Sequence, residues 1–352
     1  MGVREMLKSM PEREMWIVRA RANVHLRVLP LHTNTFVSAM RELIKAPTNW
    51  IPVRDIATLA VRDILQGTES VPFNFFVGQV TLQTICSGLL QSPPTPGIDY
   101  LVHLRAAVRG ITQLWLASKA TKPTHLHITT SNILNHHLRA LLPDIARFPN
   151  PIDYIIPTYE TIWRVVATLI AHTCHDPDYC ETLYNLYEQP TSEQFAQRGI
   201  RTDKPHVSAQ DMVHETLRVH PPTERIGCVI ADSSLIRRTL GLTRDVLHRA
   251  DIEAAQRTAH VWGEEPGIWR PERFIQGEGG ARSFAHLLAF GYGPGVRIAR
   301  EWAPMAAGVI AAVILYTLED HNRQYNVVKG PRVGDREGWE GWEIKKASGA
   351  NV

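Results

Sequence analysis

The chain is poor in cysteine: Cys86, Cys174, Cys180 and Cys228 are the only four in 352 residues. So sparse a set cannot build a disulfide framework, and a reducing compartment is the expectation. Charge of one sign is also lacking, because 38 Lys and Arg against 35 Asp and Glu leave a formal net charge of +3. That balance argues against binding nucleic acid or a membrane surface by bulk electrostatics. Nothing resembles an internal repeat or a Gly/Ser linker. Long hydrophobic runs are scarce too: Met1 to Arg21 alternates charge with short apolar pieces such as Val3, Met6-Leu7 and Met15 to Val18. No signal peptide or membrane anchor fits such a pattern, which predicts a cytoplasmic protein. The one long uncharged run, Trp302 to Leu318 between Glu301 and Glu319, is slightly short for a span and rich in Ala, so a buried core helix is expected. No Gly-x-Ser-x-Gly elbow is present, and Gly291-Tyr292-Gly293-Pro294-Gly295 is followed by no Lys-Ser or Lys-Thr, with Pro294 removing an amide donor. Neither a hydrolase triad nor a phosphate loop follows from these residues.

What is present is a globular composition, 44% hydrophobic and 21% charged. Helical periodicity marks Asn34 to Ile44, Asp55 to Leu65, Tyr100 to Ala117, Ser131 to Ile145, Pro157 to Ala171 and Ala209 to Val219. Strand character is confined to Arg225 to Ala231, part of Thr124 to Thr130, and the Trp-rich tail Trp339 to Ile344. The fold class is therefore mainly α with minor β (α+β). The clearest break in composition is the Pro-containing stretch Gln91 to Asp99, which does not by itself mark a domain boundary.

Chemistry concentrates in the second half. His214-Glu215-Thr216-Leu217-Arg218 is a helix pattern stopped by Pro221-Pro222, and Glu215 and Arg218, three apart, project from one face where they can pair. Ala250-Asp251-Ile252-Glu253-Ala254 follows, then Trp269-Arg270-Pro271-Glu272-Arg273-Phe274, then Phe290-Gly291-Tyr292-Gly293-Pro294-Gly295. Upstream, Ile155 to Thr161 opens a long apolar helix and sets an acid beside a hydroxyl, Glu160 and Thr161. That pair suits either helix capping or proton delivery. Two His and two Cys lie within His172 to Cys180, but their spacing matches no zinc template, and a frayed helix end followed by a turn accounts for them. His125 and His127, and the adjacent His136 and His137, lack a third ligand in the sequence.

In the order and separation of these segments the chain resembles the cytochrome P-450 superfamily of haem-thiolate monooxygenases, and within it the fungal members that act on small lipophilic metabolites. The resemblance covers roughly residues 153 to 318. It implies a cytochrome P-450-like fold in which Glu215, Arg218 and Arg273 form a buried structural triad, as charges can be buried only when paired and hydrogen-bonded. It implies that Glu160 and Thr161 are the catalytic acid and threonine of proton delivery, with Pro157 and Thr158 standing where alanine and glycine are usual. A competing reading has Thr161 hydrogen-bonding back to its own helix. Trp16 and Arg19 resemble the pair that contacts the haem propionates.

The haem-binding loop of the family reads Phe-Gly-x-Gly-x-Arg-x-Cys-x-Gly, its cysteine ligating the iron. Phe290, Gly291 and Gly293 match, and these with Arg297 make the candidate cofactor site for haem (heme). Without a gap the cysteine position falls on Arg297; with two inserted residues, so that Arg297 fills the arginine position, it falls on Ala299. Arginine stays protonated and offers no lone pair, and alanine has no ligand atom. The sequence therefore predicts no metal ligand and the loss of monooxygenase activity. Alternatives are an active haem oxidoreductase with an unusual ligand, although His286, four residues before Phe290, reads as a core or surface residue, or a haem-free binding protein or partner subunit for a lipophilic metabolite. The partners implied are a small lipophilic molecule and, for an active enzyme, an NADPH-cytochrome reductase; nucleic acid is not expected. One domain over residues 1–352 is expected, with 1–150 the remnant of an N-terminally truncated helical part and 151–352 the core.

Overall fold

The computed structural model describes residues 49–94, 99–119, 126–201, 204–205, 207–230, 246–275, 287–291, 298–320 and 325–347. The expected helix at Asn34 to Ile44, together with Trp16, Arg19, His125, His286, Gly293 and Arg297, lies outside them. In chain order the helices and strands are α1 (Ile51–Leu65), β1 (Ser70–Pro72), α2 (Phe73–Gln83) continued by a π-helical turn (Thr84–Leu89), α3 (Tyr100–Lys119) and α4 (Leu126–Leu141). Next come α5 (Pro151–Thr173), α6 (Pro177–Glu188), α7 (Ser192–Ala196), the pair β2 (Ile200–Arg201) and β3 (Lys204–Pro205), and α8 (Ala209–Val219). The chain continues through β4 (Arg225–Ile230), β5 (Val246–Asp251), α9 (Ile252–Gln256), α10 (Ala259–Trp262) and a 3-10 turn (Pro271–Phe274). A second 3-10 turn (Ile298–Glu301), α11 (Ala303–Asp320), β6 (Tyr325–Val328) and β7 (Glu343–Lys346) complete it.

Local chemistry sets the helix starts. α5 begins at Pro151, whose fixed φ and missing N–H suit a first helical position, after extended Asn150. Asp176 accepts from the amides of Asp178 and Tyr179 at 3.0 and 3.2 Å and so caps α6. Ser208 and Asp211 form a reciprocal capping box on α8: the Ser208 hydroxyl accepts from the Asp211 amide at 3.1 Å, and the Asp211 carboxylate accepts from the Ser208 amide at 3.0 Å.

The core is a helical bundle in which α11 packs against α1, α5, α6 and α8, while α5 also contacts α2 and α4. The run expected to be a core helix is α11, with Ala306, Val309, Ile310, Val313 and Ile314 fully buried. Gly308 lets α11 approach its neighbours, since a Cβ there would sit 2.8 Å from the Phe195 ring. Among the described residues no helix is long and apolar enough to cross a membrane. The small sheet is antiparallel in the order β1-β7-β6, with Val71 opposite Ile344 and Val327 opposite Ile344. A separate hairpin pairs β4 with β5.

Three expectations need correction. Within Thr124 to Thr130, residues 126–130 are the first turns of α4 and not a strand. Leu134, Leu138 and Leu141 are buried at helical spacing, so packing of that face overrides the local threonine content. The expected helix Ser131 to Ile145 ends at Leu141, just ahead of Pro143. In the tail the strand is Glu343–Lys346; Trp339 and Trp342 instead pack around Phe73, with ring centres 5.2 and 5.4 Å away.

Candidate functional site

The site is built around α5. Pro157 lies inside this helix and has no N–H to offer the Asp153 carbonyl one turn earlier. Next to it, the buried Thr158 hydroxyl donates to the Tyr154 carbonyl at 2.6 Å. The back-bond to the helix weighed for Thr161 is thus made by Thr158. Glu160 and Thr161 sit mid-helix, which rules out the capping reading.

Thr161 is half-buried and, one turn after Pro157, lines a cleft with it. Ile162 and Val165 of α5, Leu217 of α8, Pro222, Ala289, Phe290, Ala299, and Ala303, Pro304 and Ala307 near the start of α11 complete the lining. The cleft measures about 450 Å³ counted out to solvent. Of the two positions offered for an axial ligand, Ala299 is the one among the described residues, and it lines the same cleft as Thr161 and Phe290. Gly291 follows Phe290 with φ of 82°.

Glu160 does something else. Its carboxylate is held by the two terminal guanidinium nitrogens of Arg336, Nη2 donating to Oε2 at 2.5 Å, and Arg336 lies 4.0 Å over the Trp115 ring. One turn on, Arg164 pairs with Asp335, its Nε donating to Oδ1 at 2.7 Å, and donates to the Pro222 carbonyl at 2.8 Å. Burial pushes the Glu160 carboxyl up in spite of Arg336, and pushes Arg336 down to about 10. Both partners therefore report that burial outweighs pairing at this site. Sequence reading missed Arg164, Asp335 and Arg336; the last two are separated from their partners by 171 and 176 residues.

The structure brings Glu215, Arg218 and Arg273 together. Arg218 donates twice to Glu215, Nε to Oε2 at 2.7 Å and Nη2 to Oε1 at 2.8 Å, with both side chains fully buried. Arg273 Nε lies 3.5 Å from Glu215 Oε1. The remaining donors meet carbonyls: Arg218 Nη1 those of Gln256 and Pro266 at 2.8 and 2.6 Å, Arg273 those of Trp262 and Glu265, each at 2.7 Å. The Arg270 amide donates to Glu215 at 2.8 Å. Beside the triad, His172 and His220 meet through their Nε2 atoms at 3.2 Å, with Trp269 stacked on His172. Burial holds His172 down at about 3 and His220 at about 4, and these rings stay neutral.

Whether haem fits can be judged from donor chemistry. Phe290, Gly291 and Ala299 supply a wall and a turn, but the cleft lining holds no sulfur, imidazole or carboxylate among the described residues. Cys86 is enclosed in the π-helical turn, and Cys174 and Cys180 lie around the start of α6, where the Cys180 thiol donates to the Thr173 carbonyl. Burial raises all three thiols, Cys86 and Cys174 to about 12, the reverse of what a thiolate ligand needs. The described residues do not fit a haem-thiolate centre.

No protein-family model and no curated protein matches the chain. Solved structures do. Cytochrome P450SP alpha in complex with (R)-ibuprophen aligns over 98% of this chain and 88% of its own, at TM-score 0.61 and 14% identity. The open cytochrome P450 EryK from S. erythraea aligns over 100% and 90%, at 0.57 and 14%. P450BioI in complex with hexadec-9Z-enoic acid ligated acyl carrier protein aligns over 98% and 89%, at 0.55 and 14%. At that identity the likeness speaks for the fold, and the chain has a cytochrome P450 fold.

Proposed function

We propose that this cytochrome P450-fold protein descends from fungal haem monooxygenases of secondary metabolism that act on small lipophilic molecules, and that it no longer works as a monooxygenase. One observation carries the reading: Ala299, one of the two positions that the loop alignment offers for the ligating cysteine, lines the cleft with Thr161, and no described lining residue offers a sulfur. The Arg336 clamp on Glu160 supports it, because a carboxylate held by a guanidinium on both oxygens is poorly placed to pass protons into the cleft. What remains is an apolar wall with the Thr161 hydroxyl as its polar side chain, suited to a small lipophilic ligand. Two structural neighbours are complexes that contain lipophilic acids, (R)-ibuprophen in one and an acyl chain on its carrier protein in the other, and such a lining favours that ligand class. With no haem to reduce, an NADPH-cytochrome reductase has no role.

The test is the absorbance spectrum of purified protein expressed with a haem precursor. The expected result is a folded, monodisperse sample with no Soret band, and no shifted band after reduction and carbon monoxide. A Soret band in the unaltered protein would overturn the reading and point to the alternative, an oxidoreductase with an unusual ligand. One of the single changes Arg297→Cys and Ala299→Cys is expected to add haem binding, and failure of both would show that more than the sulfur is missing.

A further inference from the structure

The turn that follows α8 is held from outside itself. Pro221 and Pro222 have no N–H, so the backbone here cannot carry on the hydrogen bonding of the helix as a donor. Side chains from elsewhere hold it instead. Arg257 Nη2 donates to the Val219 carbonyl at 2.7 Å, His220 meets His172 of α5 at 3.2 Å, and Arg164 Nη1, also of α5, donates to the Pro222 carbonyl at 2.8 Å. Of Val219 to Pro222, Pro222 is the residue that lines the cleft.

The direction of that last bond is set further away. Arg164 is 5% exposed, and its Nε and Nη2 both donate to Oδ1 of Asp335, Nε at 2.7 Å. A guanidinium is planar, so fixing its Nε–Nη2 edge fixes where Nη1 points. Asp335 is itself held: its amide donates to the Glu337 carbonyl at 2.8 Å, and its carbonyl accepts from Trp339 Nε1 at 2.7 Å. Gly334 permits this tight turn, since a Cβ there would lie 2.7 Å from the Glu337 carbonyl oxygen. Neither Arg164 nor Asp335 lines the cleft. A braced loop between β6 and β7 thus reaches the cleft wall through one buried guanidinium.

We propose that Asp335 and Arg164 are positioning residues for the cleft: through Pro222 they fix its wall, and with it the choice among lipophilic ligands. The inference rests on the reading of the cleft as a site for such a ligand. A wall fixed in advance needs no ordering when a ligand arrives, and that saving is lost when the wall is freed. Rigid ligands feel the loss most, because a flexible alkyl chain can follow a displaced wall and a fused ring pair cannot.

The test is calorimetric titration of the full chain, well below its melting temperature, with decanoic acid and with 1-naphthoic acid. The unaltered protein is expected to bind both. Asp335→Ala should weaken 1-naphthoic acid by about five- to tenfold and decanoic acid by no more than about twofold, a change of ratio that a smaller folded fraction cannot produce. Asp335→Glu, which returns a carboxylate to within reach of Arg164, should bring the ratio back. Glu340→Gln in the same loop, where the side chain is 72% exposed, should leave it unchanged. Without any ligand, deuterium uptake over Leu217 to Glu224 should rise in Asp335→Ala and not in Glu340→Gln. Unchanged affinities in Asp335→Ala, whatever the uptake, would overturn the proposal and leave the ligand reading standing; so would equal losses for the two acids, or the same change in Glu340→Gln. No binding of either acid by the unaltered protein would overturn the ligand reading itself, and the proposal with it.

Discussion

The neighbourhood of Glu215 and the cleft beside Thr161 lie on opposite sides of one helix, α8, and have fared differently. Around Glu215 two arginines face one carboxylate, and their donors also meet six backbone carbonyls, all between Gln256 and Ile268. Among the described residues the cleft lining is alanine, proline, branched aliphatics and Phe290 around the Thr161 hydroxyl. The first region holds chain segments in place; the second is where reaction chemistry has to happen. The contrast teaches that a buried charge network tolerates change less than a cleft wall does, because removing one member of the network strands its partners in the interior and a wall residue has no such partners.

The largest break in that comparison is Glu215→Ala. It strands Arg218, fully buried, and Arg273, nearly so, and should lower unfolding free energy by about 3–5 kcal/mol. Denaturant titration reads the loss; a drop under 1 kcal/mol would mean that the carbonyl acceptors alone carry the arginines. Acid should act next, through the buried histidines behind the triad. His172, His214 and His220 are depressed in the folded state to about 3, 4 and 4, against an ordinary value of 6.5. The unfolded chain therefore binds more protons, so their contribution is complete above pH 6.5 and falls away as pH drops towards 4. Melting curves from pH 7 to 4.5 should show the decline, and His214→Phe should flatten it; an unchanged slope would refute the link.

A third prediction sets two neighbouring positions of α11 against each other. At Gly308 an added methyl would meet the Phe195 ring at 2.8 Å and Leu186 at 3.3 Å, so Gly308→Ala should cost about 1–3 kcal/mol. Ala307 lines the cleft, and Ala307→Val should cost less than Gly308→Ala, since the added carbons turn towards the cleft and not into a ring. Equal losses at the two sites would show the cleft to be as tightly packed as the bundle.

How much of this was legible in the sequence follows the same division. Glu215 and Arg218 share a helix turn, and Arg273 sits in a recognisable order of segments, so the triad could be named before any coordinates. α8 was readable to its last residue because Ser208 caps it and Pro221 follows it. The clamp on Glu160 was not, because Arg336 lies in an irregular loop between β6 and β7 and arrives by tertiary packing alone. The strand expected near Thr130 failed because β-branched content is a local preference, and the buried leucines of α4 outweigh it.

The smallest effect is also the most discriminating, because it compares two threonines three residues apart on α5. Thr158 is 1% exposed and its hydroxyl satisfies the Tyr154 carbonyl next to Pro157, so Thr158→Val removes a buried bond and should cost about 1 kcal/mol. Thr161 is half-buried in the cleft wall, and Thr161→Val should shift the melting temperature by no more than a degree or two, corresponding to at most about 0.5 kcal/mol. For a working oxygenase the ranking by function would be the reverse: Thr161 would matter to turnover and Thr158 would not. A protein whose stability responds to Thr158 and in which nothing measurable responds to Thr161 is one in which helix α5 survives as architecture. Loss of an oxidative activity in Thr161→Val would instead place the reactive chemistry back in the cleft.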